Sequence, residues 1–266
     1  MVTYLDRILD AHRARAAADE RDLNELTSAA LQAPPPRRFR EALVQSTARD
    51  GIALIAEVKR RSPSKGALRA DLDPAELARA YALGGAACLS VLTDAEFFGG
   101  SPADLRAARM ASGRPVLRKD FTVGARDVCD ARLMGADCVL LIAAALGDDE
   151  LGELHALARY LQLDVLVEVH DEAELARALP IGADLIGVNQ RDLVTFQVDQ
   201  ERAVRVAGAM PEGVVRVAES GIRGPDDAAA LSAAGYHALL VGEILVRAGD
   251  PAAMAKSLRG AAVRAE

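Results

Sequence analysis

Ile52-Ala53-Leu54-Ile55-Ala56-Glu57-Val58-Lys59-Arg60-Arg61-Ser62-Pro63-Ser64-Lys65-Gly66 joins an apolar, partly β-branched run to a charged turn bearing Pro and Gly. The run reads as a buried strand over residues 52–58. Side chains alternate across a strand, so Ile55, Glu57 and Lys59 share one face. Two opposite charges therefore leave the end of a core strand together. Taken alone they read as a structural ion pair. Whether they are more depends on what the other strands bring.

From Gly51 onward the pattern repeats. Further apolar strand candidates fall at residues 88–92, 115–117, 138–142, 165–169, 185–188, 214–218 and 238–241, with Ala/Leu/Arg segments of helical spacing between them. Caps such as Asp73-Pro74, Ser101-Pro102, Asp171 with Glu174, and Gly224-Pro225-Asp226 open several of those segments. Eight strands alternating with helices imply parallel pairing through crossovers. Gly85-Ala86, Gly135-Ala136, Gly182-Ala183 and Gly235-Tyr236 recur roughly every 50 residues, ahead of strands two, four, six and eight. No G-x-G-x-x-G follows the first strand, which argues against an open dinucleotide-binding sheet. The expected fold is α/β: a (β/α)8 TIM barrel over residues 48–266, the catalytic domain, with a helical N-terminal extension over 1–47. In that extension Tyr4, Leu5, Ile8 and Leu9 form an apolar stripe, which an Ala/Arg-rich stretch continues. Pro34-Pro35-Pro36 ends it, and Phe39 to Gln45 suggests another short helix. A cover over apolar surface explains the extension as well as a functional role does.

Composition narrows the function. The chain has 266 residues, is 51% hydrophobic, and carries a net charge of −7 with no Trp. Without a basic stripe or stacking aromatics, it is not expected to bind nucleic acid. It has no apolar run of membrane-spanning length and no signal-peptide pattern, so no membrane association is expected. Cys88, Cys129 and Cys138 lack metal-ligand spacing and suggest reduced, buried thiols in the cytoplasm. His155, His170 and His237 likewise have no metal-ligand spacing, and no metal site is expected. Lys59, Lys65, Lys119 and Lys256 are the only lysines among 32 basic residues. A lysine kept in so Arg-rich a chain can mark a place for a titratable amine.

In a barrel of this kind reactive groups sit at the C-terminal strand ends, in layers fed by alternate strands. The odd strands end in Glu57 and Lys59, Lys119, Glu168 and Glu219. Charges buried together cost several kcal/mol each unless paired, so catalytic use outweighs stability as their explanation. After strands seven and eight, Ser220, Gly221, Gly242 and Glu243 suit a phosphate group held by backbone N–H groups. After strand six, Asn189 and Arg191 offer an amide and a guanidinium. Phe98, in Phe97-Phe98-Gly99-Gly100-Ser101, can wall a planar ring.

Together these stretches resemble the indole-3-glycerol phosphate synthase family. The resemblance rests on Glu57-Val-Lys59 with Ser62-Pro63-Ser64-Lys65-Gly66, Leu92-Thr93-Asp94 with Phe98-Gly99-Gly100-Ser101, and Arg118-Lys119-Asp120-Phe121. It continues in Val167-Glu168-Val169-His170, Gly187-Val188-Asn189-x-Arg191-Asp192-Leu193 and Ala218-Glu219-Ser220-Gly221-Ile222. Gln190 departs from the second Asn or Ser common there, and Gly235-Tyr236-His237 from the usual Gly-Ala-Asp-like turn.

The resemblance implies a carboxy-lyase of tryptophan biosynthesis that needs no cofactor. It would convert 1-(o-carboxyphenylamino)-1-deoxyribulose 5-phosphate to indole-3-glycerol phosphate, CO2 and water. It implies Lys119 as general acid, Glu168 as its acid/base partner, Lys59 as a second amine and Glu57 as the group that orients the lysines. Glu219 and Asn189 would hold the reacting centre, and Arg191 an anion. Ser62, Ser220, Gly221, Gly242 and Glu243 would surround the phosphate, with Pro63, Lys65, Phe98 and Phe121 completing the binding set. A monomer, at most a weak dimer, is expected. A general acid at Lys119 is expected to have its pKa lowered by burial beside neighbouring cations.

Overall fold

The computed structural model describes residues 3–62, 66–192 and 197–260. Eight parallel strands close into a barrel: β1 Ala53–Val58, β2 Cys88–Leu92, β3 Val116–Lys119, β4 Cys138–Ile142, β5 Asp164–Val169, β6 Leu185–Asn189, β7 Val215–Glu219 and β8 Ala238–Val241. Each pairs with its neighbours in sequence, and β8 closes onto β1 through Ala53↔Ala238 to Ala56↔Val241. The strand ends differ from the apolar runs in a consistent way. β3, β6 and β7 run on to Lys119, Asn189 and Glu219, past the last apolar residue of each run.

The recurring glycine is a helix stop. Gly85, Gly135, Gly182 and Gly235 all have φ between 81° and 91°, a left-handed conformation costly for any residue with a Cβ. At three of them the next residue's N–H reaches back five residues, as in Ala86 N to Tyr81 O at 2.9 Å. This is the bond of a Schellman cap, which turns the chain from helix into the next strand.

Inward side chains stack in layers. Ala53, Ile55, Leu117, Cys138, Leu140, Leu166, Leu185, Val215, Val217, Ala238 and Leu240 fill the lower barrel. Phe39 and Leu43 join them from below, both fully buried. They belong to α3 (Phe39–Asp50), which extends beyond the short helix expected there and stops at Gly51, φ 79°. Burying two such side chains contributes about 1.5–3 kcal/mol each. Main-chain ties fix the plug: Arg37 N donates to Asp137 (2.7 Å), Arg40 N to Asp164 (2.9 Å), and Thr47 Oγ1 to His237 O (2.7 Å).

The rest of the extension is two helices rather than one continued stripe. α1 (Tyr4–Ala17) starts at a Thr3/Asp6 capping box, and α2 (Leu23–Gln32) restarts at Asp22, whose carboxylate accepts from Asn24 N and Glu25 N. That competing cap breaks the Ala/Arg-rich stretch. All three cysteines are free and buried. Among the described residues no helix is long and apolar enough to cross a membrane.

Candidate active site

The charged ends of the odd strands face one cavity of about 1160 Å³ at the C-terminal mouth. Glu57 and Lys59 enter from β1, Lys119 from β3, Glu168 from β5 and Glu219 from β7, with Asn189 from β6. Lys119 Nζ lies 3.2 Å from Glu168 Oε2 and 4.0 Å from Glu219 Oε2. Asn189 Nδ2 donates to Glu168 Oε1 at 3.0 Å. Lys59 is ion-paired with Glu57, whose other oxygen accepts from Ser90 Oγ at 3.4 Å. Two glycines make room for these carboxylates. A Cβ on Gly187 would collide with the Glu219 carboxyl, and one on Gly242 with Glu57.

The electrostatics correct one expectation. Arg118, beside Lys119 in sequence, points to the opposite face of β3 and bonds Asp120 and the Asp127 carbonyl. Lys119 is therefore in the company of carboxylates. Burial works against its charge, but Glu168, Glu219 and Glu57 outweigh burial and raise its pKa. For Glu168 burial is likewise overcome, by Lys119, His170 and the Asn189 amide, and its pKa falls. Glu219 goes the other way: burial first, then the ionised Glu168 beside it, push its carboxyl well above the ordinary range. Two adjacent carboxyl groups are thus pushed in opposite directions.

Around this cluster the cavity wall has two characters. Phe98 and Phe121 line one side, their ring centroids 6.3 Å apart. Phe97 turns away and packs edge-on against Tyr4. On the other side Ser220, Gly221, Gly242 and Glu243 line the cavity with Arg191 and Ser62. Among the described residues, no backbone acceptor takes the N–H of Gly221, Gly242 or Glu243. Ser220 and Gly221 both have left-handed backbone, at φ 66° and 71°. The buried Gln190 side chain supports this turn by donating to Ser220 O at 3.0 Å. Pro63 and Lys65 lie outside the described residues.

Two contributions escaped the sequence reading. Tyr4, Leu5 and Ile8 of α1 line the same cavity, so the extension forms part of its wall. Their apolar stripe signalled a helix but not what it covers. His12, one turn beyond Ile8, fixes that helix: its Nε2 is 3.2 Å from Asp94 Oδ2 and 3.7 Å from Asp120 Oδ1. His12, Asp94 and Asp120 are close enough together to hold a metal ion. Protein donors already engage both carboxylates, however: Arg15 and Phe97 N at Asp94, Thr93 and Arg118 at Asp120. The other missed residue is His170, whose ring lies behind Glu168.

Known proteins agree with this architecture. Two solved structures share the fold. A thiamine phosphate pyrophosphorylase from Pyrococcus furiosus gives a TM-score of 0.61 at 18% identity, covering 80% of this chain and 96% of its own. An N-acetylmannosamine-6-phosphate 2-epimerase from Clostridium perfringens gives 0.58 at 13% identity, covering 74% and 89%. At such identities the likeness is one of fold alone. Sequence relatives are much nearer. An indole-3-glycerol phosphate synthase from a Nocardioides species is 50% identical over 97% of this chain and 99% of its own. Indole-3-glycerol phosphate synthase 2 of Streptomyces coelicolor is 52% identical over 93% of each. The model of the indole-3-glycerol phosphate synthase family matches residues 5–258, and the chain belongs to that family.

Proposed function

We propose that this chain closes the indole ring, with Lys119 delivering the proton that drives closure. The substrate is 1-(o-carboxyphenylamino)-1-deoxyribulose 5-phosphate, and the products are indole-3-glycerol phosphate, CO2 and water. The observation that carries the reading is Lys119 set between Glu168 and Glu219, at the junction of an aromatic wall and a pair of glycine-bearing turns.

The aromatic ring of the substrate lies against Phe98 and Phe121, and its phosphate against Ser62, Ser220, Gly221, Gly242 and Glu243. Arg191 contributes a further anion contact. As the ring carbon attacks the ketone, the oxygen gains alkoxide character. An alkoxide is a stronger base than an amine, so Lys119 gives up its proton there even though its neighbours hold that proton tightly. Departure of CO2 restores the aromatic ring. Lys59, oriented by Glu57, holds the carboxylate or assists dehydration. Glu168 exchanges protons as water leaves, while Glu219 and Asn189 hold the reacting centre and hydroxyls. No cofactor enters this reading.

The barrel from residue 48 to 266 is the catalytic unit, and residues 1–47 are its extension. It works in the cytoplasm as a monomer, at most a weak dimer; three free, buried thiols support a reducing compartment. Mixing the protein with the carboxyphenylamino substrate should produce indole fluorescence and absorbance. Substrate that binds and is not converted would overturn the reading. Mass measurement in solution tests the oligomeric state.

A further inference from the structure

Glu168 and His170 are two residues apart at the end of β5, so they project to the same face. The helix that follows, Glu172–Ala178, starts at Asp171 and places Glu174 in its first turn. Glu174 Oε2 accepts the His170 backbone N–H at 2.8 Å and lies 3.0 Å from Nδ1. That contact places the Nδ1 proton toward Glu174 and orients the ring at rest. The other nitrogen, Nε2, is buried without a hydrogen-bond partner and faces Glu168 Oε1 at 3.7 Å. His170 does not line the cavity. A line of titratable groups therefore runs from Glu174, with its side chain 17% exposed, through His170 and Glu168 to Lys119.

The chemistry has a use for such a line. Ring closure forms one C–C bond and puts a proton on the ketone oxygen. The bond to the carboxylate then breaks, and its electron pair returns to the ring as CO2 departs. In dehydration the hydroxyl leaves with a second proton as water, and the methylene carbon beside nitrogen releases one. Two protons are supplied and one recovered. Each turnover of the carboxylate substrate therefore takes one proton from solution, at a site whose mouth the substrate itself fills.

We propose that His170 is the proton-return residue of this site: its Nε2 passes a proton to Glu168 Oε1 while Nδ1 keeps its own, and Nε2 is reprotonated from solvent beside Glu174 when the ring swings away from Glu168. This rests on the reading of Glu168 as acid and base. In the transfer, imidazolium and carboxylate become imidazole and carboxylic acid. Glu168 then hands that proton to Lys119, which has given its own to the ketone oxygen, or to the departing hydroxyl. The 3.7 Å gap is of the kind that closes to a hydrogen bond when substrate is bound. The charged groups facing the ring suit the task. Burial disfavours the imidazolium and Arg202 adds to that, but Glu174 and Glu168 together raise its pKa above the ordinary histidine value. His170 touches no substrate and acts through Glu168, as a positioning and proton-supplying residue.

The test uses the full chain and single-turnover indole formation, so that product release does not mask the proton steps. His170→Asn should slow that step by about tenfold or more with KM little changed. It should also remove the loss of rate expected as pH rises through the His170 pKa, and added imidazole should restore part of the rate. Glu174→Gln keeps an acceptor for the backbone but removes the charge, so the same loss should move to lower pH. A His170→Asn rate within about twofold of wild type, with an unshifted pH profile, overturns the proposal. If that variant does not fold, an unmoved profile in Glu174→Gln overturns it. Glu168→Gln separates the two readings. Full activity there removes the acid–base role of Glu168, and the relay with it; loss of activity there beside an unchanged His170→Asn profile removes the relay alone.

Discussion

Lys119 Nζ sits 3.2 Å from Glu168 Oε2, an ammonium and a carboxylate both at the floor of the mouth and both held in their charged forms. A pair so placed can exchange a proton only when a third group, the substrate oxygen, becomes basic enough to draw it. Lys119→Arg tests this. Guanidinium keeps the charge and forks well between carboxylates, but it does not release a proton. The variant should fold, bind product with little change, and lose at least about 10²-fold in kcat. A kcat within about tenfold of wild type would make Lys119 an electrostatic anchor.

Gly187 tests the room made for Glu219. An alanine Cβ there meets the Glu219 carboxyl directly and also crowds Leu166. Overpacking of this kind costs about 1–3 kcal/mol when the neighbour must move. Gly187→Ala should lower Tm and reduce kcat more than it raises KM, because the displaced group belongs to the proposed reacting centre. Unchanged kcat, measured beside thermal unfolding, would show that Glu219 has space to retreat.

Asp94 gives a pH dependence with a definite sign. Burial opposes its charge, but the His12 contact, the Phe97 N–H and Arg15 prevail and hold its pKa at about 2, below the ordinary 3.8. A carboxylate depressed in the folded state stabilises fully above its unfolded pKa, and that stability is lost as pH falls through the folded value. The contribution is on the order of 2 kcal/mol at neutral pH. Asp94→Asn can still cap the short helix Ala95–Phe98 but lacks the charge. Its Tm should fall below wild type at neutral pH, and the gap should narrow below about pH 4. A gap that persists to pH 2 would assign the loss to packing.

Inorganic phosphate, sulfate or product should bind at Gly221 and Gly242, whose N–H groups line the cavity and, among the described residues, meet no backbone acceptor. A liganded crystal structure checks this directly. A phosphoryl group beside the loop after β4 would contradict it.

The barrel was legible because its parts are local. Apolar runs marked all eight strands, and the recurring glycine marked the helix stops between them. The strand ends were less legible because hydropathy fades where the cavity-lining polar residues begin, at Lys119, Asn189 and Glu219. Alternation along odd strands still placed Lys119 and Glu219 in one mouth. Sequence adjacency misled at Lys119: Arg118 next door points the other way, and the true neighbours come from β5 and β7. The two-residue step from Glu168 to His170 was readable, but the ring's orientation depends on Glu174, one helical turn onward. No local signal tied Ile8 and His12 to the loops after β2 and β3, since those contacts join residues about eighty or more apart in sequence.

The plug formed by α3 also fixes an order of events during synthesis. Phe39 and Leu43 are made before any barrel strand, yet the floor they seal includes Ala238 and Leu240 of the last strand. Arg37 waits for Asp137, Arg40 for Asp164, and Thr47 for His237. This helix therefore leaves the ribosome long before its docking site exists, and its apolar face stays uncovered while the barrel is being completed. Made before the strands and seated after them, it makes closure of the floor a late, long-range step, and the nascent chain is most open to aggregation before that step.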